Sequence, residues 1–395
     1  MNIIPLNKLE LSGKRVLIRV DYNVPRDKEG RIVDDSRMRE SLPTLRHILD
    51  HGGRAIIMTH LGRPNGVTDS LRLKPIADRL SELLSHPVRY VKDTIGPIAR
   101  NATSELGNGD CLMLENLRFH DGETQNDVEF VRALAALGDV YVNDAFGTAH
   151  RKHASTEGVA HFLPVRAAGF LMLKELNYLS NALQHPKGRL VVILGGAKVS
   201  DKMKVTRRFI EIADSLVIGG GMAYTFLASQ GEPVGKSLLE KDHLEFALEI
   251  FELASTLEKR IFLPIDHVIA DSIHPVLGKR EVDQIPECSM GLDIGSKTRR
   301  QFTEIIANAG TILWNGPMGV FETKAFSTGT SAIANTIATA TSRGTVSIIG
   351  GGDTAAAVNA LGLAASMSHI STGGGASLEL LEGRTLPGLR GLEEN

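Results

Sequence analysis

The stretch Val-Ser-Ile-Ile-Gly-Gly-Gly-Asp-Thr, residues 346–354, decides how the chain is to be read. An apolar, β-branched run breaks into three glycines, then an acid and a hydroxyl. Ala355, Ala356, Ala357 and Val358 follow with the composition of a helix start. Strand, turn and helix in that order leave backbone amides bare at a helix N-terminus, an arrangement suited to phosphate. Asp353 adds a carboxylate of the kind Mg²⁺ shares with phosphate oxygens. A nucleotide site is the first expectation. The alternative is a plain strand-to-helix turn whose glycines only relieve steric strain.

Outward from this stretch the same alternation recurs. Short apolar runs lie at 16–20, 55–58, 111–114 and 140–142, then at 190–194, 216–218, 261–263, 311–314, 345–349 and 369–371. Helix-like stretches lie between them, among them 75–84, 128–137 and 243–257. Continuous apolar strands alternating with helices predict parallel sheets covered on both faces. At 395 residues the chain exceeds what one hydrophobic core supports, so two domains are expected. The fold class is α/β, with two doubly wound, Rossmann-like domains at 1–173 and 187–378. A helical hinge at 174–186 joins them, around Leu-Lys-Glu-Leu-Asn-Tyr-Leu.

Hydrophobic content of 42% and charged content of 23% describe a soluble globular protein. A net charge of −2 gives no bulk attraction for nucleic acid or anionic membrane, and neither partner is expected. Cys111 and Cys288 have no metal-ligand spacing around them and read as reduced, in keeping with a cytoplasmic location. The N-terminal residues lack the basic region and apolar core of a signal peptide. No apolar run approaches the roughly 18 residues that span a bilayer.

In open α/β sheets, ligands bind beyond the carboxyl ends of the strands. In the first half those ends carry Arg19, Asp21 and Asn23, then His60, Leu61, Gly62, Arg63 and Pro64. Arg118 follows, and then Asn143, Asp144, His150, Arg151, Lys152 and His153, with Arg37 nearby. Arginine pairs with phosphate and carboxylate through its planar fork. Recurrence at successive strand ends favours an anion site over scattered surface charge. The second half has glycine there instead: Gly195-Gly196-Ala197-Lys198, Gly219-Gly220-Gly221, Asn315-Gly316-Pro317, Gly350-Gly351-Gly352 and Gly373-Gly374-Gly375. One half is therefore expected to hold a compact anion and the other a nucleotide.

Two weaker patterns do not carry chemistry on this reading. The run 231–237, Gly-Glu-Pro-Val-Gly-Lys-Ser, has one residue too few between its glycines for a phosphate loop, and no strand precedes it. His150 and His153 have no third ligand at a suitable spacing for a metal.

Assembled, these segments resemble the phosphoglycerate kinases from about Lys14 to Leu392. The matching runs are Arg-Val-Asp-Tyr-Asn-Val-Pro (19–25), His-Leu-Gly-Arg-Pro (60–64), Leu-Glu-Asn-Leu-Arg-Phe (114–119) and Asn-Asp-Ala-Phe-Gly-Thr-Ala-His-Arg-Lys-His-Ala-Ser (143–155). They continue with Gly-Gly-Ala-Lys-Val-Ser-Asp-Lys (195–202), Gly-Gly-Gly-Met-Ala-Tyr-Thr-Phe (219–226), Trp-Asn-Gly-Pro-Met-Gly-Val-Phe-Glu (314–322) and Gly-Gly-Gly-Asp-Thr (350–354). Tyr22 and Tyr224 stand where the family often has phenylalanine.

The resemblance implies reversible transfer of a phosphoryl group between 1,3-bisphosphoglycerate and ADP, giving 3-phosphoglycerate and ATP with Mg²⁺. It assigns Asp21, Asn23, Arg37, His60, Leu61, Gly62, Arg63, Arg118 and Arg151 to the phosphoglycerate. Lys202, Gly219, Gly220, Leu292, Asn315, Glu322, Gly351, Gly352, Asp353 and Thr354 fall to the nucleotide, Glu322 through the ribose and Asp353 beside the metal. It also implies a monomer, and a C-terminal tail (379–395) that returns to the first domain, with 380–392 packed there.

The reacting groups, a carboxylate and a phosphate, are ionised at pH 7, so no general base is needed and neither His60 nor His153 takes that part. Arg37, Lys198 and Lys202 are the candidates for stabilising charge on the transferring group. A dinucleotide-dependent dehydrogenase is disfavoured, because no Gly-x-Gly-x-x-Gly follows the first strand. An inactive nucleotide-binding scaffold is the other alternative. Against it, each position assigned through the resemblance holds a competent residue.

Overall fold

The computed structural model describes residues 3–393. By contact density they divide into two units, one of residues 3–177 with 385–393 and one of 178–384. The division falls inside the helix Phe170–Gln184.

The first unit is built on a six-stranded, wholly parallel sheet of β1 (Arg15–Arg19), β2 (Arg54–Met58), β3 (Val88–Tyr90), β4 (Cys111–Met113), β5 (Val140–Asn143) and β6 (Val165–Ala168), in the order β3-β4-β2-β1-β5-β6. β1, β2, β4 and β5 are apolar along nearly their whole length because helices cover both faces. Val16, Ile18, Ile57 and Val142 from the sheet meet Met38, Leu45 and Ile48 of the helix Ser36–Asp50 in one core.

The second unit holds β7 (Leu190–Leu194), β8 (Ser215–Ile218), β9 (Arg260–Phe262), β10 (His267–Ala270), β11 (Arg280–Val282), β12 (Met290–Ile294), β13 (Thr311–Asn315), β14 (Val346–Gly350) and β15 (His369–Ile370). Its six-stranded parallel sheet runs β15-β14-β13-β7-β8-β9, and Trp314 of β13 is fully buried in the core beneath it. The remaining strands form a separate antiparallel sheet, β11-β10-β12. Two doubly wound parallel sheets are as the alternation predicts. The antiparallel sheet is not, because no helices separate its strands. β3 and β6 are also absent from the sequence reading: both are sheet edges, three and four residues long, and only partly apolar.

Both sheets reverse direction about a central strand. In the first unit chain growth turns between β1 and β5, in the second between β7 and β13. A crevice opens at such a switch point. In the first unit the turn after β1 carries Asp21 and Asn23, and those after β2, β4 and β5 carry the basic residues; in the second the turns after β7 and β13 carry glycines. Among the described residues no helix is long and apolar enough to cross a membrane.

The returning segment of the first unit starts at Thr385, later than residue 379; the helix Gly375–Leu381 belongs to the second unit. Leu386, Leu389 and Leu392 are fully buried, Gly388 N–H donates to Ala149 O at 2.8 Å, and Glu393 bridges to Ile3. Leu389→Ala removes a buried side chain from this closing turn and is expected to destabilise the first unit by about 2–5 kcal/mol. Urea unfolding followed by far-UV circular dichroism checks this; an unmoved midpoint would mean that the turn is not part of that unit's core.

Candidate functional site

In the first unit the residues gather where the reversal of strand order puts them. Arg37 lies in the first turn of Ser36–Asp50, and its Nη1 donates to Asp21 Oδ2 at 2.7 Å. Asn23 Oδ1 accepts from Gly62 N–H at 2.8 Å, fixing the turn after β2 against the turn after β1. Asn116 staples the same turn from the far side, accepting from Leu61 N–H at 3.2 Å and donating to Leu61 O at 2.9 Å. Arg118 Nη1 donates to Gly62 O at 2.6 Å. Leu61 itself is buried, so only its backbone is placed to shape the turn. Arg63, Arg118, His150, Arg151 and His153 line a cavity of about 520 Å³.

The electrostatics of this cluster are those of positive charge short of partners. Burial, then Arg151 close by, pulls Arg118 down to about 10. Burial lowers Arg151 as well. Burial and then Arg118 push His153 down to about 4. His60, 2 % exposed, is held well below the ordinary imidazole value by burial and then by Arg19. Opposite charge favours the protonated forms, so an arriving anion would oppose each shift.

In the second unit a cavity of about 480 Å³ is walled by Leu238, Ile273, Met290, Leu292, Pro317 and Val320, with Gly220, Lys236, Glu322 and Asp353 also on its lining. An apolar slot with a few polar groups on it is the form of a small-molecule site. Lys202 Nζ donates to Gly195 O at 2.5 Å, and burial lowers it to about 8 although Asp201 and Asp353 pull the other way. Gly316 has φ +105°, and a Cβ there would run into the Gly195 carbonyl; its N–H donates to Thr354 Oγ1 at 2.7 Å. Gly351, at φ +87°, precedes the helix Gly352–Ala360, and beyond it Gly352 faces open space. Asn315 is 3 % exposed, and its Nδ2 has no hydrogen-bond partner among the described residues; it lies against Gly350 and Gly351. Lys198 is exposed on the turn after β7.

Gly219 stands differently from its neighbour Gly220. It is not on the lining of the cavity; it packs beneath Met318 Sδ and its N–H donates to Leu194 O at 2.8 Å. The run 231–237 does not have the setting of a phosphate loop, since a helix and not a strand leads into it, yet its Lys236 lines the same cavity.

These features meet a family whose pattern is independent of the geometry. The model of the phosphoglycerate kinase family matches residues 6–384. The chain belongs to the phosphoglycerate kinase family. Phosphoglycerate kinase of Prosthecochloris aestuarii is 51% identical over 392 residues, covering 98% of this chain and 99% of the relative. That of Thermosynechococcus vestitus is 50% identical over 395 residues, covering 100% and 99%. The solved phosphoglycerate kinase of Coxiella burnetii superposes with a TM-score of 0.91 at 38% identity, covering 99% of this chain and 98% of that one. That of Pyrococcus horikoshii gives 0.84 at 33%, with coverage of 99% and 98%. Membership of the phosphoglycerate kinase family makes the chain a phosphotransferase in class and agrees with the two parallel sheets and the paired clusters.

Sequence reasoning missed the cavity residues Ile273 and Met290, which come with the antiparallel sheet, and Glu123, which is fully buried beneath the basic cluster. Glu123 sits in a polar surrounding sequence (Asp-Gly-Glu-Thr-Gln) that reads as exposed, so nothing local signals its burial.

Proposed function

We propose that the chain catalyses the reversible Mg²⁺-dependent transfer of a phosphoryl group between 1,3-bisphosphoglycerate and ADP, yielding 3-phosphoglycerate and ATP. The observation that carries this reading is the division of labour between the units: a guanidinium cluster short of counter-charge in one, an apolar slot beside a lysine and a glycine turn in the other.

On this reading Arg63, Arg118 and Arg151 clamp the phosphate of the phosphoglycerate, with His60, Asn23 and Asp21 around its remaining oxygens. Leu238, Leu292 and Val320 sandwich the base, Glu322 takes the ribose hydroxyls, and Asn315 Nδ2 with the amides after Gly351 meets the phosphates. Nucleophile and leaving group are both anions, so the residues position and neutralise and no side chain moves a proton. Arg37, Lys198 and Lys202 then stabilise charge on the transferring group, arginine as a fork and lysine as a mobile point charge. The reacting atoms must come within about 3–3.5 Å. We assign the hinge that allows this to the helix Phe170–Gln184, within which one unit gives way to the other. Closure also keeps water from the acyl phosphate.

Among the described residues no three acids, histidines or cysteines gather into a metal cage. A lone exposed carboxylate, Asp353, at the start of the Gly352–Ala360 helix fits an ion that arrives on nucleotide phosphates and keeps most of its waters. Mg²⁺ bound there would supply charge neutralisation of the phosphates. Asp353→Ala is expected to raise the Mg²⁺ and MgATP concentrations needed for half-maximal rate by roughly tenfold, as for loss of one charged contact. An unchanged Mg²⁺ titration would remove Asp353 from this role. The protein is proposed to act in the cytoplasm as a monomer on these small molecules.

The decisive experiment measures ADP formation from ATP, Mg²⁺ and 3-phosphoglycerate, with the acyl phosphate drained by a coupled dehydrogenase. Turnover that needs all three components supports the reading. ATP binding without turnover would favour an inactive scaffold instead.

A further inference from the structure

The two ring nitrogens of His60 stand in different surroundings. Nδ1 lies 3.0 Å from Arg19 Nη2. A guanidinium has only donors, so Nδ1 must accept and carries no hydrogen. Nε2 is buried and has no hydrogen-bond partner among the described residues. Arg19 is itself fixed: Nε donates to Ser155 Oγ at 2.8 Å, and Nη1 donates to the Val20 carbonyl. Ser155 Oγ in turn donates to Glu123 Oε1 at 2.6 Å, and Ser155 N–H to Glu123 Oε2 at 3.0 Å. Tyr141 OH holds the backbone of Ser155 through its carbonyl at 2.8 Å. Arg19, Ser155 and Glu123 are 1 %, 0 % and 1 % exposed, so water does not compete for these bonds.

We infer that Glu123, Ser155 and Arg19 form a buried positioning chain that locks His60 as the neutral tautomer with its hydrogen on Nε2. His60 then meets the bound ligand as a directed, uncharged donor, neither a cation nor a base. Only the identity of the acceptor, an oxygen of a phosphoglycerate, rests on the proposed function. The surroundings favour the neutral ring. Arg118, Arg151 and His153 from the neighbouring turns add positive potential. Asp21 Oδ1, the nearby acid, is 3.9 Å from Nδ1. Glu123 also lies 3.8 Å from His153 Nδ1, but it reaches His60 only through Ser155 and Arg19. Charge recognition is left to the arginines, and the imidazole contributes direction.

Long-range ¹H–¹⁵N spectra of histidine-labelled full-length protein read this without ligand. The expected His60 signals are those of a neutral ring protonated on Nε2, unchanged from about pH 5 to pH 8. Hydrogen on Nδ1, or titration near 6.5, would overturn the lock. Addition of 3-phosphoglycerate is expected to shift the Nε2 signal. Failure of that shift with the tautomer intact would count against the proposed ligand and leave the lock standing.

In Glu123→Gln and Ser155→Ala the ring signals are expected to turn into a tautomer mixture. KM for 3-phosphoglycerate should rise about tenfold, the loss of one oriented hydrogen bond, while KM for ATP and kcat stay within about twofold. A fall in thermal stability with unaltered ring signals and KM would make the chain structural only. Should a variant not fold, the wild-type spectrum alone decides the tautomer.

Discussion

Lys202→Ala is expected to lower kcat by at least two orders of magnitude in the coupled assay, the size typical of a lost transition-state contact. Its ammonium lies at the ends of β7 and β13, bonded to Gly195 O and close against Gly196 and Gly316, where a Cβ would crowd it. Burial has already lowered it to about 8. The sign is then determined. In the free protein the ammonium is present below about pH 8 and is lost as pH rises through that value. kcat/KM for the nucleotide should therefore fall on the alkaline side, and bound phosphates, which favour the charged form, should move the limb to higher pH in kcat. Neither limb should appear in the alanine variant. Turnover within tenfold of the parent, or an unaltered alkaline limb, would take Lys202 out of the reaction.

Arg37→Ala carries the second large effect, again at least a hundredfold in kcat. Two losses combine. The guanidinium is removed from the transferring group, and Asp21, only 12 % exposed, loses the cation 2.7 Å away that compensates it. An unpaired carboxylate facing an anionic substrate repels it, so KM for phosphoglycerate should rise as well. The double variant Arg37→Ala with Asp21→Asn separates the contributions, because it restores KM but not kcat if Arg37 acts on the transferring group. Recovery of both would mean that Arg37 serves only to neutralise Asp21.

The parts of the fold that were legible share one property: burial on both faces. Leu190 to Leu194 and Ala55 to Met58 read as strands because a covered parallel strand has to be apolar along nearly its whole length. Edge strands escape that demand, and so Val88-Arg89-Tyr90 and Val165 to Ala168 left little trace. His267 to Ala270 is as buried as a central strand, yet its partners lie across loops and its pairing is antiparallel, which alternation with helices does not encode.

Of the site residues, Arg118 and Lys202 lie where a strand-end reading puts them, one on the cavity shared with Arg63 and Arg151, the other against the glycines after β7 and β13. Leu61 and Gly219, named beside them, have only backbone to offer: the Leu61 side chain is buried and Gly219 packs under Met318. Lys236 and Glu123 are the converse. One lies in a segment that fails its nearest motif, the other in a polar stretch that tertiary structure buries.

The first unit is finished by a piece of chain made after the whole of the second. On a ribosome working at about 5–20 residues per second, roughly 200 intervening residues hold residues 385–393 back by about 10–40 s. For that interval the surface that will take Leu386, Leu389 and Leu392 stays uncovered. The part translated first is thus the part completed last, and the closing contacts of its core wait on the end of translation.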